Sequence, residues 1–415
     1  MLSAKTYTWI FSSGDSGDWL ASALSWIPPQ PFGNPLFVLL GHVLAHFPGG
    51  LVLWLTTIGS CLPSAITISA VYLITLKLTN KQSLAIVASL VLLGAVVFTS
   101  QALVISEYPL PVMFVTLAFL FYLHNYRSTT ALVLGLGSAC HVVVIVIAAL
   151  WLLVEWRQGR LRQWLKPIIL YLPVVFLPYL LTLWELWKFN NNHLSIHILL
   201  LYVQNSSGMG ALALSAFPDR LLHFAGYIIV SLGIALIPIC MTLFNKASRD
   251  IKGYWLMAAV VAFPCWYYLT SIDPTTWHYL PWVMPFLAVF AGVGISKLDI
   301  CKGMLVTVGA GCLLIINVLF LNANVLASRN PVAENIYRAT QGLPLNCDVA
   351  IRADGWDGFD VRYVQVSSRE DITCIDFSDV DARIADGKQV FVLASQVGNV
   401  TAATAYNQFW DRVIR

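Results

Sequence analysis

The sequence contains few charged residues. Only 11% of its 415 residues are Asp, Glu, Lys or Arg, whereas 58% are hydrophobic, and the formal net charge is +3. This composition excludes a disordered chain, which combines low hydrophobicity with high charge, and it excludes a nucleic-acid-binding protein, which needs a dense basic face. It is typical of a protein that lies largely within a lipid bilayer.

Common cofactor motifs are also missing. The eight cysteines form no CxxC pair and no Cys/His spacing of the kind that holds zinc. The segment GLGSAC at 135–140 lacks the preceding strand and the lysine that a phosphate-binding P-loop requires. We therefore expect no resident cofactor and no metal centre; whether a divalent metal acts with the substrate stays open.

The charged residues that are present concentrate near the C-terminus. Residues 326–415 hold 21 of the 45 charged side chains, and their runs DVAIRA, ITCIDF and QVFVLAS are typical of strands, with a short helix over 380–386. We predict three regions. Residues 1–49 form a first outer loop with amphipathic helices, residues 50–324 a transmembrane helical domain, and residues 325–415 an extracytoplasmic, soluble α/β domain.

Apolar runs long enough to cross a bilayer fill the middle region. A hydrocarbon core about 30 Å thick needs roughly 20 residues of helix. Candidate spans cover residues 50–77, 82–105, 108–124, 167–187, 222–244, 254–272, 279–296 and 303–324. Together with the run at 130–156, they predict an all-α polytopic membrane protein with about ten transmembrane helices.

The run at 130–156 is either one long span or two short helices that meet at His141. Lys and Arg are retained on the cytoplasmic side during insertion. Two helices place twelve loop cations inside and only Lys188 and Arg220 outside, whereas one span leaves five inside and nine outside. We therefore predict the broken pair. Because each half is too short to cross the bilayer, His141 should lie below the outer surface, in a protein-lined or wet recess.

The first loop carries two carboxylates, Asp15 and Asp18, before a predicted helix over 18–26, a proline-rich turn and a second helix over 35–47. The carboxylates either cap the helix and complement its dipole, or one of them is a general base.

Residues 1–14 are too short for a span and lack the core of a signal peptide. Either they lie on the membrane surface, or a further helix ordinarily precedes them.

In their order along the chain, these stretches resemble a family of GT-C-type polytopic membrane glycosyltransferases, a domain family that includes the plexin-type protein O-mannosyltransferases. The family's acidic pair, proline-rich turn, Glu-Tyr motif and histidine between short helices correspond to Asp15 with Asp18, residues 30–35, Glu107 with Tyr108, and His141. The sequence departs from the family where Gln30 replaces a histidine and where Glu107 directly adjoins Tyr108. The resemblance implies a GT-C fold with a catalytic site at the outer face.

Sugar transfer from a polyprenyl phosphate needs a carboxylate that deprotonates the acceptor, and donors or cations that stabilise the departing phosphate. We expect Asp15 to be the catalytic base, supported by Asp18 and Glu107. The expected substrate-binding residues are His141, Arg220, His223, Asp273 and His278. The structural alternatives are histidines packed in the core and an Arg220 whose head group reaches interfacial water. The 15 Trp and 16 Tyr are assigned mostly to the aromatic belts at the membrane surfaces.

Together with the family resemblance, which implies mannose as the sugar, these observations predict an inverting membrane glycosyltransferase that moves a hexose from a polyprenyl-phosphate donor to an acceptor hydroxyl. The acceptor is a protein, a glycan or a lipid, the protein also contacts membrane lipid, and no nucleic acid takes part. We expect a multi-pass protein of a prokaryotic inner membrane, with its active site and C-terminal domain outside. The alternatives are a transporter or flippase of lipid-linked sugar and a non-catalytic membrane scaffold.

Overall fold

A computed structural model of the chain describes residue 23 and residues 34–47, 54–103, 105–189, 217–249, 251–271, 279–298, 300–327, 347–351, 373–376 and 380–392. These residues are mostly helical. The α-helices are α1 (Pro35–Ala45), α2 (Leu62–Thr79), α3 (Gln82–Gly94), α4 (Val96–Ala102), α5 (Pro109–Leu123), α6 (Arg127–Cys140), α7 (Val142–Arg157), α8 (Leu165–Phe189), α9 (Phe217–Leu232), α10 (Leu236–Phe244), α11 (Tyr254–Ser271), α12 (Met284–Ile295), α13 (Ile300–Ala327) and α14 (Val380–Ala385). A π-helix, Leu55–Cys61, runs directly into α2.

Several of these helices are suited to a membrane. Among the described residues, three helical stretches are long and apolar enough to cross a bilayer, namely Leu55–Thr79, Leu161–Trp184 and Phe217–Phe244, and the bent pair α3 and α4 makes a fourth if it is one span. Helix α12 is buried along its whole length and therefore lies at the centre of the bundle. Helices α2, α3 and α10 pack around it, whereas α8 packs against α6. Apolar surface is thus shared between a protein core and lipid.

The predicted helix break at His141 is confirmed. Helix α6 ends at Cys140, α7 begins at Val142, and His141 between them is extended, with φ −159° and ψ 133°. Helices α5 and α6 are joined by only three residues and pack side by side, so they run antiparallel. The start of α5 therefore lies at the same end of the bundle as His141.

A second break falls where a continuous span was predicted over 82–105. Helices α3 and α4 meet at Ala95, whose backbone is extended, and their axes differ by 71°. The break leaves the carbonyl group of Gly94 without its helical partner, and the buried side chain of Asn317 donates a hydrogen bond to it at 2.6 Å. A polar side chain from a distant helix thus satisfies the freed backbone group, as the bilayer requires.

Cations gather at the end of the bundle opposite to His141 and the start of α5. We call this end the basic end. Lys252 donates hydrogen bonds to the carbonyl oxygen of Leu123 and to Asn125, at the C-terminus of α5, and Lys77, Arg127 and Arg160 lie close enough to affect its charge. The end that holds Glu107, at the start of α5, we call the Glu107 end. Fifteen residues of helix separate the two ends by about 22 Å.

The three strands predicted in the tail are present. They are β1 (Asp348–Ile351), β2 (Thr373–Asp376) and β3 (Val390–Val392), and they form a parallel sheet in the order β2-β1-β3. Helix α14 lies between β2 and β3 in sequence, and these two strands lie on either side of β1, so the chain crosses over the sheet between them. Most of residues 325–415 lie outside the described residues, so the extent of the α/β domain stays a prediction.

Candidate functional site

Glu107 and Tyr108 lie buried immediately before the first turn of α5. Glu107 is 6% exposed and Tyr108 is 4% exposed. Pro109 at the first helical position is compatible with this start, because a proline there gives up an N–H group that has no intrahelical partner. The backbone N–H of Tyr108 donates to the hydroxyl of Ser106, which in turn donates to Gln101 Oε1 at 2.5 Å. A short polar segment is therefore held in a fixed position next to Glu107.

His141 lies beside this segment. Its ring centroid is 5.5 Å from that of Tyr108 and 5.3 Å from that of Trp282, and the rings of Tyr108 and Tyr279 are 5.6 Å apart. The Nδ1 atom of His141 accepts a hydrogen bond from the backbone N–H of Val143 at 3.2 Å. Because Nδ1 is an acceptor, the neutral ring carries its proton on Nε2. His141 therefore caps α7 and presents an N–H donor on its other side.

The first loop packs against the same end of the bundle. Helix α1 is buried on one face, where Phe37 and Leu44 join Ile105, Met113 and Cys140 in one apolar cluster. Gly59 of the π-helix leaves the space that the Phe37 ring occupies, since an added Cβ would stand 3.1 Å from it. The described part of the first loop thus adjoins the segments that carry Glu107 and His141.

Arg220 and His223 differ in their surroundings. Arg220 is 7% exposed and donates to the carbonyl oxygen of Thr270 at 3.2 Å, so its guanidinium group is buried and does not reach interfacial water as the structural alternative required. His223 pairs with Asp219 one helical turn earlier, with Nδ1 and Oδ1 3.3 Å apart, and the Asp219 side chain is 56% exposed. His223 therefore lies in a local pair near the surface of α9.

Aromatic contacts connect the Arg220 region with His141. Thr270 belongs to the last turn of α11, and Tyr267 of the same helix has its ring 6.0 Å from that of Tyr279. Tyr279 in turn contacts Tyr108. The structure thus brings Glu107, Tyr108 and His141 together and places Arg220 at the same end. Asp15, Asp18, Asp273 and His278 lie outside the described residues, and their roles stay predictions.

The sequence reasoning missed Trp282. Its side chain is 2% exposed, its ring contacts His141, and its Nε1 atom has no hydrogen-bond partner among the described residues. The assignment of the tryptophans to membrane-surface belts is wrong for Trp282 and for Trp151, which is 1% exposed. It suits Trp156, Trp184 and Trp266, which are exposed. The one feature of the sequence that could have indicated Trp282 as a site residue is its position shortly after a predicted outer loop.

A second polar cluster occupies the basic end. Glu155 is 1% exposed in its side chain and accepts hydrogen bonds from Tyr122, Trp164 and Arg160, the last at 2.6 and 3.0 Å. These bonds to Glu155 raise the pKa of the Arg160 guanidinium. Partial burial lowers the pKa of the Lys252 ammonium, and the neighbouring cations lower it further. In the part of the chain that the structure describes, no three His, Cys, Asp or Glu side chains are grouped as a metal ion would require.

Known proteins resemble the chain in two ways. Residues 15–165 match the family model described as Protein O-mannosyl-transferase TMEM260 N-terminal domain. The family resemblance is thereby confirmed. The matched stretch includes Asp15, Asp18, Glu107 and His141, and it ends just after the Glu155 cluster. No curated protein matches the chain.

The fold resembles that of ArnT, a GT-C glycosyltransferase. The crystal structure of ArnT from Cupriavidus metallidurans bound to undecaprenyl phosphate superposes with a TM-score of 0.62 at 12% identity, covering 94% of this chain and 87% of ArnT. The apo structure of the same protein gives a TM-score of 0.59 at 13% identity, with the same coverage. The chain therefore has a GT-C-like fold. Together with its long apolar helices, this fold indicates a multi-pass integral membrane protein.

Proposed function

We propose that the protein is an inverting membrane glycosyltransferase that moves a hexose, mannose by its family resemblance, from a polyprenyl-phosphate donor to an acceptor hydroxyl. The observation that carries the proposal is the Glu107 end of the bundle. There a buried carboxylate, a histidine at a helix break and the first-loop helix come together. The match to O-mannosyl-transferases and the likeness to an ArnT structure that holds undecaprenyl phosphate support the same chemistry.

The reaction is a single displacement. The acceptor oxygen attacks the anomeric carbon, the bond from that carbon to the phosphate oxygen breaks, and polyprenyl phosphate leaves. Asp15 takes the proton of the acceptor hydroxyl, with Asp18 and Glu107 as supporting carboxylates. His141 donates a hydrogen bond from Nε2 to the departing phosphate, and the N-terminus of α7 adds a favourable dipole. Arg220, His223, Asp273 and His278 are further candidates for substrate binding.

The orientation follows from charge. The basic end holds cations that the positive-inside rule retains in the cytoplasm, so the Glu107 end and the C-terminal α/β domain face outward. We expect the protein in a prokaryotic inner membrane, with about ten spans. The acceptor is a hydroxyl of a protein, a glycan or a lipid.

The direct test is transfer of labelled sugar by the purified protein, with Asp15→Asn as the key variant. Loss of the base should lower the transfer rate at least about a hundredfold, the usual lower bound for general base catalysis, while the yield of folded protein stays at the wild-type level. Asp381→Asn is the matched control, because Asp381 is an exposed acidic residue in the first turn of α14. If Asp15 only complements a helix dipole, the two variants will behave alike, and unchanged transfer by Asp15→Asn contradicts the assignment.

The alternatives predict other outcomes. A transporter or flippase would move lipid-linked sugar across vesicles reconstituted with the protein without transferring label to any acceptor. A non-catalytic scaffold would do neither. Either result would overturn the proposal.

A further inference from the structure

Trp282 carries a buried hydrogen-bond donor with no partner among the described residues. Its side chain is 2% exposed, so water does not replace the missing partner freely. Leaving a buried donor unpaired costs roughly 1–3 kcal/mol, and buried polar groups in native proteins are almost always bonded. The unpaired indole N–H of Trp282 is explained if a bound ligand provides the hydrogen-bond acceptor.

The surroundings of Trp282 favour an anionic acceptor. Its ring lies 5.3 Å from that of His141, whose neutral ring carries its proton on Nε2, and 6.3 Å from that of Tyr108. His141 also caps the N-terminus of α7, and the first turn of this helix has no acidic residue to offset its positive dipole. Indole N–H, imidazole N–H and a helix N-terminus are all hydrogen-bond donors or positive groups, and such groups together suit phosphate oxygens.

Trp151 shows why an unpaired indole does not identify a site by itself. It is 1% exposed, and its Nε1 atom also lacks a partner among the described residues. Its ring neighbours are Phe119, Tyr122 and Trp164, toward the basic end, and it lies ten residues along α7 from His141. Among the described residues, no histidine ring and no helix N-terminus lie beside Trp151 as they do beside Trp282. The two residues thus match in burial and in the unpaired N–H group and differ in their surroundings.

We propose that the indole N–H of Trp282 donates a hydrogen bond to a phosphate oxygen of the polyprenyl phosphate, which carries the sugar in the donor and leaves in the reaction. This inference rests on the proposed function and adds a specific binding residue to the site. It makes Trp282 a determinant of phosphate recognition, and it assigns the lipid tail to other contacts.

The test compares the binding of a polyprenyl phosphate with that of the polyprenol of equal length, which lacks the phosphate. For Trp282→Phe, affinity for the phosphate should fall about tenfold or more, as expected for one hydrogen bond to a charged group, while affinity for the alcohol is unchanged. Trp151→Phe removes the same group elsewhere and should leave both affinities at the wild-type values.

A second substitution protects the test against loss of folding. Replacing Trp282 by 3-benzothienylalanine exchanges the N–H group for sulfur and preserves the ring shape, so packing is retained. The same loss of phosphate affinity is expected. Wild-type affinity for the phosphate in this variant would overturn the inference while leaving the proposed function intact. If the unmodified protein itself does not prefer the phosphate to the alcohol, the proposed function fails first.

Discussion

The two ends of the helical bundle solve the problem of buried polarity in different ways. At the basic end, Glu155 accepts hydrogen bonds from three side chains. At the Glu107 end the backbone is interrupted by the π-helix Leu55–Cys61, by extended Ala95 and by extended His141, and Gln101 and Trp282 carry donors without partners among the described residues. Toward the basic end, Trp151 and Thr75 also carry buried polar atoms without partners among the described residues, but the buried carboxylate there is bonded to three side chains. The Glu107 end differs in that its backbone is interrupted as well.

This difference indicates where substrate binding occurs. Irregular backbone at membrane depth is tolerated where it is buried in protein or lines a water-filled cavity, and π-helical turns occur frequently at functional sites. A fully bonded cluster such as that of Glu155 gains nothing from a ligand and serves to hold helices together. Substitutions at the basic end should therefore change stability, whereas those at the Glu107 end should change binding and transfer.

The largest effect on stability is expected for Glu155→Ala. Removing one member of a buried ion pair leaves the other polar groups unsatisfied, which costs 3–5 kcal/mol in other proteins. Because the Arg160 side chain is 36% exposed, we expect about 3 kcal/mol, the lower end of this range. The measurement is the unfolding midpoint of the detergent-purified protein.

Arg157→Ala is the control for this substitution, since Arg157 is exposed on the same helix and its loss should leave the midpoint unchanged. If Glu155→Ala unfolds at the wild-type midpoint but loses its preference for polyprenyl phosphate over polyprenol, the assignment of roles to the two ends is reversed.

The next largest effect on stability is expected where two helices pack closely near the basic end. A methyl group added at Gly294 of α12 would overlap the backbone carbonyl of Pro238 in α10, which cannot move without separating the helices. Gly294→Ala should therefore destabilise the protein by about 1–3 kcal/mol. Gly311→Ala is the matched control, since an added Cβ there meets nothing within 4 Å. Equal unfolding midpoints for the two variants would show that α10 and α12 are not in close contact.

The features that sequence could predict were those with a local or topological signal. The break at His141 followed from the number of cations on each side of the membrane. The helix over 35–47 followed from its proline-rich start, and α1 confirms it with an end at Ala45. The strands of the tail followed from short apolar runs bounded by polar residues.

What sequence could not predict depends on distant contacts. Residues 82–105 read as one apolar run, and the break at Ala95 is accommodated by Asn317, which lies 223 residues from Gly94 in sequence. In a membrane bundle, residues facing lipid and residues facing protein are both apolar, so the sequence of α12 does not show that this helix is buried along its whole length. Periodicity therefore does not separate them, and the burial of Trp282 was hidden for the same reason. The pair of Arg160 with Glu155 was missed for another reason. The two residues are only five apart, but the helix ends at Arg157 between them, so no i,i+4 helical spacing marks the pair.

The smallest effect on stability is expected for Asn317→Leu, a substitution that tests the helix break at Ala95. Asn317 donates to the carbonyl oxygens of Gly94, at 2.6 Å, and of Val230, at 3.3 Å. Interhelical hydrogen bonds of this kind contribute about 0.6 kcal/mol on average in a membrane, so the unfolding midpoint should fall only slightly. Thr307→Val is the control, because the Thr307 hydroxyl bonds within its own helix, to Gly303.

The effect of Asn317→Leu on transfer should exceed its effect on stability. Helix α4 runs from the break at Ala95 to Gln101, which holds Ser106 next to Glu107. A carbonyl left unpaired at Gly94 favours any rearrangement that bonds it again, including a straighter path from α3 into α4, and that path would displace Gln101. Transfer should therefore fall severalfold in Asn317→Leu and stay at the wild-type rate in Thr307→Val. A proportionate loss of stability and transfer would mean that the break serves packing alone, and the contrast between the two ends would then rest on His141 and Trp282.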